Sequence, residues 1–160
     1  MFGTGSSGFL RSTMVAALLA AFLASSMAAK EQTLDELKAR LSSTSVGGRP
    51  QICLQIAERQ LDDADKLYSA FDSEKAEVAL ADVVTFSELA RDYSIQSHKH
   101  QKQTEIAVRK MTRKLNDLKH VVSRDQEAVV QNAIDRLQRV RDDLLLAMFP
   151  KGEKREEQER

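Results

Sequence analysis

Cysteine is almost absent. Cys53 is the only one in 160 residues, so no disulfide can close within the chain and no Cys-x-x-Cys-His haem attachment exists. Tryptophan is missing and there are only two tyrosines. With six glycines, two prolines and few β-branched or aromatic residues, the chain lacks the turn chemistry and strand formers of a compact all-β domain. It also lacks an excess of either charge. Lys plus Arg is 24 and Asp plus Glu is 24, a formal net charge of zero, unlike the strongly basic balance of many nucleic-acid binders.

Catalytic and metal-binding patterns are equally scarce. The histidines are His98, His100 and His120. His98 and His100 stand two apart, so on a helix they diverge. No His-Glu-x-x-His, Glu-x-x-His, Gly-x-Ser-x-Gly or Gly-rich phosphate loop with its lysine occurs. Neighbouring acids such as Asp62 and Asp63, or Asp142 and Asp143, point about 100° apart on a helix and read as solvated surface. Cys53 shares an apolar stripe with Ala57 and Leu61, the place of a small buried hydrophobe rather than a nucleophile. The expectation is a protein without catalytic residues, metal or cofactor.

What is present begins with an apolar run of eleven residues, Met14 to Ala24, preceded by Arg11 and followed by Ser25, Ser26, Met27, Ala28 and Ala29. A positive charge, a short apolar core and small residues at a cut site make the layout of a secretory signal over residues 1–29. The strictly apolar stretch is shorter than the roughly 20 residues of an ordinary span, which leaves an uncleaved anchor as the lesser alternative. The expected location is therefore the periplasm or the exterior.

Helical periodicity dominates the remainder. Thr33 and Glu36 form a Thr-x-x-Glu capping box ahead of Leu34, Leu37 and Leu41. This weak helix and the Ser/Gly-rich stretch after it occupy residues 30–49, and Pro50 suits the first turn of the next helix. A bundle domain is expected over 50–149. Cys53, Ala57, Leu61, Ala64, Tyr68 and Phe71 make its first stripe, with spacings of three and four. Asp72 or Ser73 can cap the second helix of that domain. Ala79, Val83, Phe86, Ala90 and Tyr93 make the next stripe, and Val108, Met111, Leu115, Leu118 and Val122 continue its register.

No Pro or Gly lies from Phe71 to Val122. The pattern therefore favours one long or kinked helix of about 50 residues, about 75 Å long, over a turn in the polar stretch SIQSHKHQKQ. Ser123 and Gln126 suggest a second capping box, before a stripe of Val130, Ala133, Ile134, Leu137, Val140, Leu144 and Met148. Pro150 and Gly152 end it, and residues 150–160 read as a charged, disordered tail. The fold class is all-α: an elongated antiparallel bundle of three to four helices with a long or kinked central one.

Charge is laid out in blocks. Residues 51–98 hold four positive and ten negative side chains, residues 99–124 eight positive and two negative. Mutual neutralisation of the two blocks is the first expectation. The alternative is a basic face of Lys99, Lys102, Arg109, Lys110, Arg113, Lys114, Lys119 and Arg124. That face would meet a protein, a second copy of the chain, or an anionic envelope component such as a lipid headgroup or polymer. Nucleic acid is disfavoured, since the block has no aromatic residue to stack on bases. Histidines facing the acidic block would add pairs on protonation near pH 6. The functional expectation is an exported structural or interaction module that presents a helix surface. The alternative is a bundle that binds an anionic envelope component or a metal through the basic, His-containing segment.

Overall fold

The computed structural model describes residues 32–150, and these form five helices and no strand. The helices are α1 (Leu34–Ser43), α2 (Arg49–Ser69), α3 (Ser73–Ser97), α4 (Gln101–Lys119) and α5 (Arg124–Met148). The expected export signal and the charged tail beyond Pro150 lie outside the described residues.

Each helix starts or stops for a local reason. At α1 both arms of the capping box form: the Glu36 N–H donates to Thr33 Oγ1 (3.2 Å) and the Thr33 N–H to Glu36 Oε2 (3.0 Å). The Ser/Gly stretch is a 3₁₀ turn at Val46–Gly48 that leads directly into α2, whose second residue is the buried Pro50. Gly48 is required there, because a Cβ would lie 2.8 Å from Thr44 Cγ2. Asp72 caps α3 by accepting from the Lys75 N–H. The second capping box does not form. Ser123 caps α5 through no side-chain bond, and the Gln126 amide instead donates to the Ser73 hydroxyl, tying the start of α5 to the start of α3.

The long central helix is broken. Ser97 ends α3, Gln101 starts α4, and His98 and His100 between them take left-handed φ values of 54° and 62°. Histidine visits this region more readily than most side chains, so the chain turns without Gly or Pro. The polar seam is consumed by the turn: the Ser94 and Thr104 hydroxyls, both buried, share a 2.8 Å hydrogen bond between α3 and α4. The seam thus closes as a buried polar clasp, and the helix count rises to five.

Helices α2 to α5 pack as two antiparallel hairpins, α2–α3 and α4–α5. The hairpins lie together so that α3 packs on α5 and both α2 and α3 approach α4, while the backbones of α2 and α5 stay apart. Their stripes merge into one core containing Leu61, Val83, Val108, Leu115, Ile134 and Leu137, all almost fully buried. Each such side chain contributes about 1.5–3 kcal/mol through removal from water. Helix α1 adds Leu37 to a smaller cluster with Ile52 and Ile56, and half-buried Phe86 packs against both clusters. Among the described residues, no helix is long and apolar enough to cross a membrane.

Candidate functional site

The basic block does not act as a unit. Lys99, in the α3–α4 turn, lies over Gly47, with its Cδ where a Cβ on that glycine would come within 3.0 Å. Lys119 reaches α5, donating to Gln131 Oε1 at 2.8 Å and lying 3.4 Å from Glu127. Arg109 stands 3.9 Å from Glu105 on its own helix. Lys114 crosses to α2 and bonds Asp62 at 2.6 Å. That bond, helped by the charges of Asp62, Asp65 and Glu58, holds the Lys114 ammonium above the ordinary lysine range. Among the described residues Lys102, Lys110, Arg113 and Arg124 are exposed and form no ion pair.

Mutual neutralisation of the two blocks is therefore largely replaced by other pairs. Of the eight cations only Lys114 bonds an acid of residues 51–98. Arg136 on α5 donates through Nη2 to both Glu88 oxygens (2.8 Å each) and through Nε to one of them (3.1 Å), Arg91 takes Asp143 (2.8 Å), and Gln60 and Lys38 share Asp82. The one buried acid among the described residues, Glu105, faces α5 and accepts from Arg141 Nε at 2.8 Å. What remains without an acidic partner among the described residues is Lys102, Lys110 and Arg113, on the outer side of α4 with Arg109 and half-buried Ile106 between them.

The histidines separate. His98 and His100 flank the turn at one end of α4, and His120 follows its other end. Gln51 Nε2 lies 3.4 Å from His100 Nδ1. None of the three forms an ion pair among the described residues, so the expected contact with the acidic block is not made. No cluster of three or more His, Cys, Asp or Glu able to hold a metal occurs among the described residues. Cys53 is fully buried, and burial pushes its thiol up to about 12, with Arg49 pulling weakly the other way.

Surface grooves follow the helix seams. One of about 280 Å³ lies between α2 and α4, over Leu61, Leu118 and Val121, with Asp62, Asp65, Lys114 and Asp117 at its edges. One of about 380 Å³ lies between α3 and α5, over Leu80, Val84 and Ala133. A third, about 400 Å³, sits at the end of the bundle where the α2–α3 and α4–α5 turns meet, lined in part by Tyr68, Phe71, Val121 and Gln126. None of these three gathers a histidine or Cys53 beside an acid. Neither the family models, nor the curated proteins, nor the solved structures compared with this chain gave a match.

The end groove was not anticipated. Phe71 is 95 % exposed and Val121 77 % exposed beside it, although Phe71 continues the apolar stripe of α2 in sequence. The helix stops at Ser69, two residues before Phe71, in a Schellman turn: the Asp72 N–H donates to Leu67 O (2.9 Å) and the Phe71 N–H to Tyr68 O (3.1 Å). That turn needs a left-handed residue at Phe71, whose φ is 60°. No Gly marks the position, so periodicity alone carried the stripe past the helix end to Phe71.

Proposed function

We propose that the chain is a non-catalytic helical interaction module, working outside the cytoplasm, that offers the outer side of α4 to a protein partner. The reading rests on one observation: Lys102, Lys110 and Arg113 are exposed and without ion-pair partners among the described residues, while the interior beneath them is filled by Val108, Met111 and Leu115. Unpaired surface cations stabilise the fold little, yet they steer and select an oppositely charged partner.

A protein suits this face better than an extended polyanion. The exposed acids Glu58, Asp62 and Asp65 run along the neighbouring α2. At the usual helix spacing of about 8–10 Å they fall within about a Debye length of any polyanion laid on α4 and repel it. The test is capture from the envelope fraction of the producing cell with tagged wild type and with Lys102→Glu/Lys110→Glu/Arg113→Glu. The expected result is a stoichiometric protein held by wild type and lost from the variant. Equal recovery by both chains removes α4 from the reading, and flotation of wild type alone with anionic vesicles replaces the protein by a lipid. N-terminal sequencing of the exported chain tests the location: a start just after Ala28 or Ala29 supports it, and a start at Met1 in the cytoplasm overturns it.

A further inference from the structure

We infer that two copies of this chain can exchange their α4–α5 hairpins, with α3 and α4 of each copy joined into one straight helix. The exchange turns on the α3–α4 connection and leaves the outward cations of α4 exposed, so it is independent of the protein-partner reading.

The connection is short and strained. Two of the three residues between Ser97 and Gln101 are histidines with left-handed φ values, 54° at His98 and 62° at His100. A side chain with a Cβ is disfavoured there, and the strain vanishes when the chain runs straight. Short hinges under strain invite this kind of exchange. The side-chain ties of the turn to the start of α2 are slight: Gln51 Nε2 is 3.4 Å from His100 Nδ1, and Lys99 lies over Gly47.

The seam residues carry the register through the turn. On α3 the buried positions Leu80, Val83, Ser87, Ala90 and Ser94 are spaced three, four, three and four. On α4 the buried positions Thr104, Val108, Met111, Leu115 and Leu118 are spaced four, three, four and three. Half-buried Ser97 and Gln101 join the two sets at three, four and three. One seven-residue repeat thus passes the turn without a change of phase. A helix continued through His98 and His100 keeps the whole seam on one face, as in a two-stranded coiled coil. A hairpin does not need this, because its turn resets the phase of the helix that follows.

The repeat is also symmetric about Lys99. Positions equally far from it pair Ser94 with Thr104, Ala90 with Val108, Ser87 with Met111 and Val83 with Leu115. The 2.8 Å bond between the Ser94 and Thr104 hydroxyls shows that α3 and α4 meet at these levels within one chain. Two straightened helices laid antiparallel repeat the same pairings between copies. Their two-fold axis runs midway between them at the level of Lys99, normal to the plane that holds both. Helix α3 of one copy then faces α4 of the other at each end of a rod about 70 Å long over Ser73–Lys119. Each end regains the packing of the single chain, with Arg136–Glu88 and Arg91–Asp143 formed across copies. A chain that straightened alone would leave the faces of Val83, Leu115 and Leu137 in water, so the straight form requires a second copy. With the same core in both forms, the balance is set by the turn and by concentration. The forms interconvert no faster than the core opens.

The test is refolding of the purified chain from denaturant over a concentration series, read by size exclusion with light scattering. Wild type is expected to give monomer at low concentration and a separable dimer at high concentration. His98→Ala/His100→Ala favours helix at the turn and should raise the dimer-to-monomer ratio at least about tenfold, and His98→Gly/His100→Gly should lower it as far. A second measurement distinguishes exchange from docking of intact bundles. Exposed Glu74 and Asn116, near the start of α3 and the end of α4, lie at one end of the bundle. Glu74→Cys/Asn116→Cys in a Cys53→Ala background carries a donor and an acceptor dye there, and is refolded as a trace in excess unlabelled chain. Energy transfer is expected to be strong in the monomer and weak in the dimer, where the straight helix sets the two sites about 60 Å apart. A wild type that stays monomeric at every concentration, a dimer with the transfer of the monomer, or equal dimer from the Ala and Gly variants overturns the inference.

Discussion

Cys53, Tyr68 and Phe71 show how much a single side chain owes to its surroundings. The Cys53 thiol is raised from an ordinary value of 9.0 to about 12 in the folded chain because burial disfavours the thiolate. Its protonated form therefore supports folding fully below about pH 9, and that support is lost as pH rises through the window up to about 12. Native protein at pH 8 is expected to resist maleimide until denatured, and the alkaline loss of stability should be smaller in Cys53→Ala. Modification of the native thiol as fast as of a free one would contradict this burial. Tyr68 is buried, yet its hydroxyl finds no hydrogen-bond partner among the described residues, and burial together with the charge of Glu77 raises its pKa. Tyr68→Phe removes an unsatisfied polar group without changing shape, so denaturant unfolding should register no loss, or a gain of up to about 1 kcal/mol. Phe71 keeps a bulky ring in a left-handed turn, and Phe71→Gly is expected to raise the thermal midpoint.

Helix existence could be read from spacing of three and four, and helix ends could be read wherever a cap announces itself in side-chain chemistry. Thr33 with Glu36, Pro50 and Asp72 behave that way. Ser123 with Gln126 carries the same signature and fails, since the Gln126 amide finds a better-placed hydroxyl on another helix. The α3–α4 break was the least legible, because it uses two histidines in a conformation usually associated with glycine. The cost of that conformation gives a prediction. His98→Gly should hold or raise stability, whereas His98→Ile, β-branched at a positive φ, should lower it by about 1–2 kcal/mol in urea unfolding. Equal stability of the two variants would mean that the turn does not require this backbone.

Packing of the hairpins gives the bundle its energy and leaves its charges asymmetric. Leu137 is fully buried, and Leu137→Ala should cost about 2–5 kcal/mol. Leu146, exposed on the same helix, should change stability by no more than about 0.5 kcal/mol when truncated. Near-equal losses from the two would place the core elsewhere. Spacing, caps and charge blocks are local properties, and they specified an all-helical chain with its core stripes and its basic segment, because a helix shows each residue's neighbours at fixed offsets. Which helices touch is decided by contacts far apart in sequence. Only the assembled bundle sends Glu88 to Arg136 and Asp143 to Arg91, brings α2 alongside α4, and leaves Lys102, Lys110 and Arg113 without ion-pair partners among the described residues. Ion pairing depends on distance in space, which no periodicity along the chain encodes.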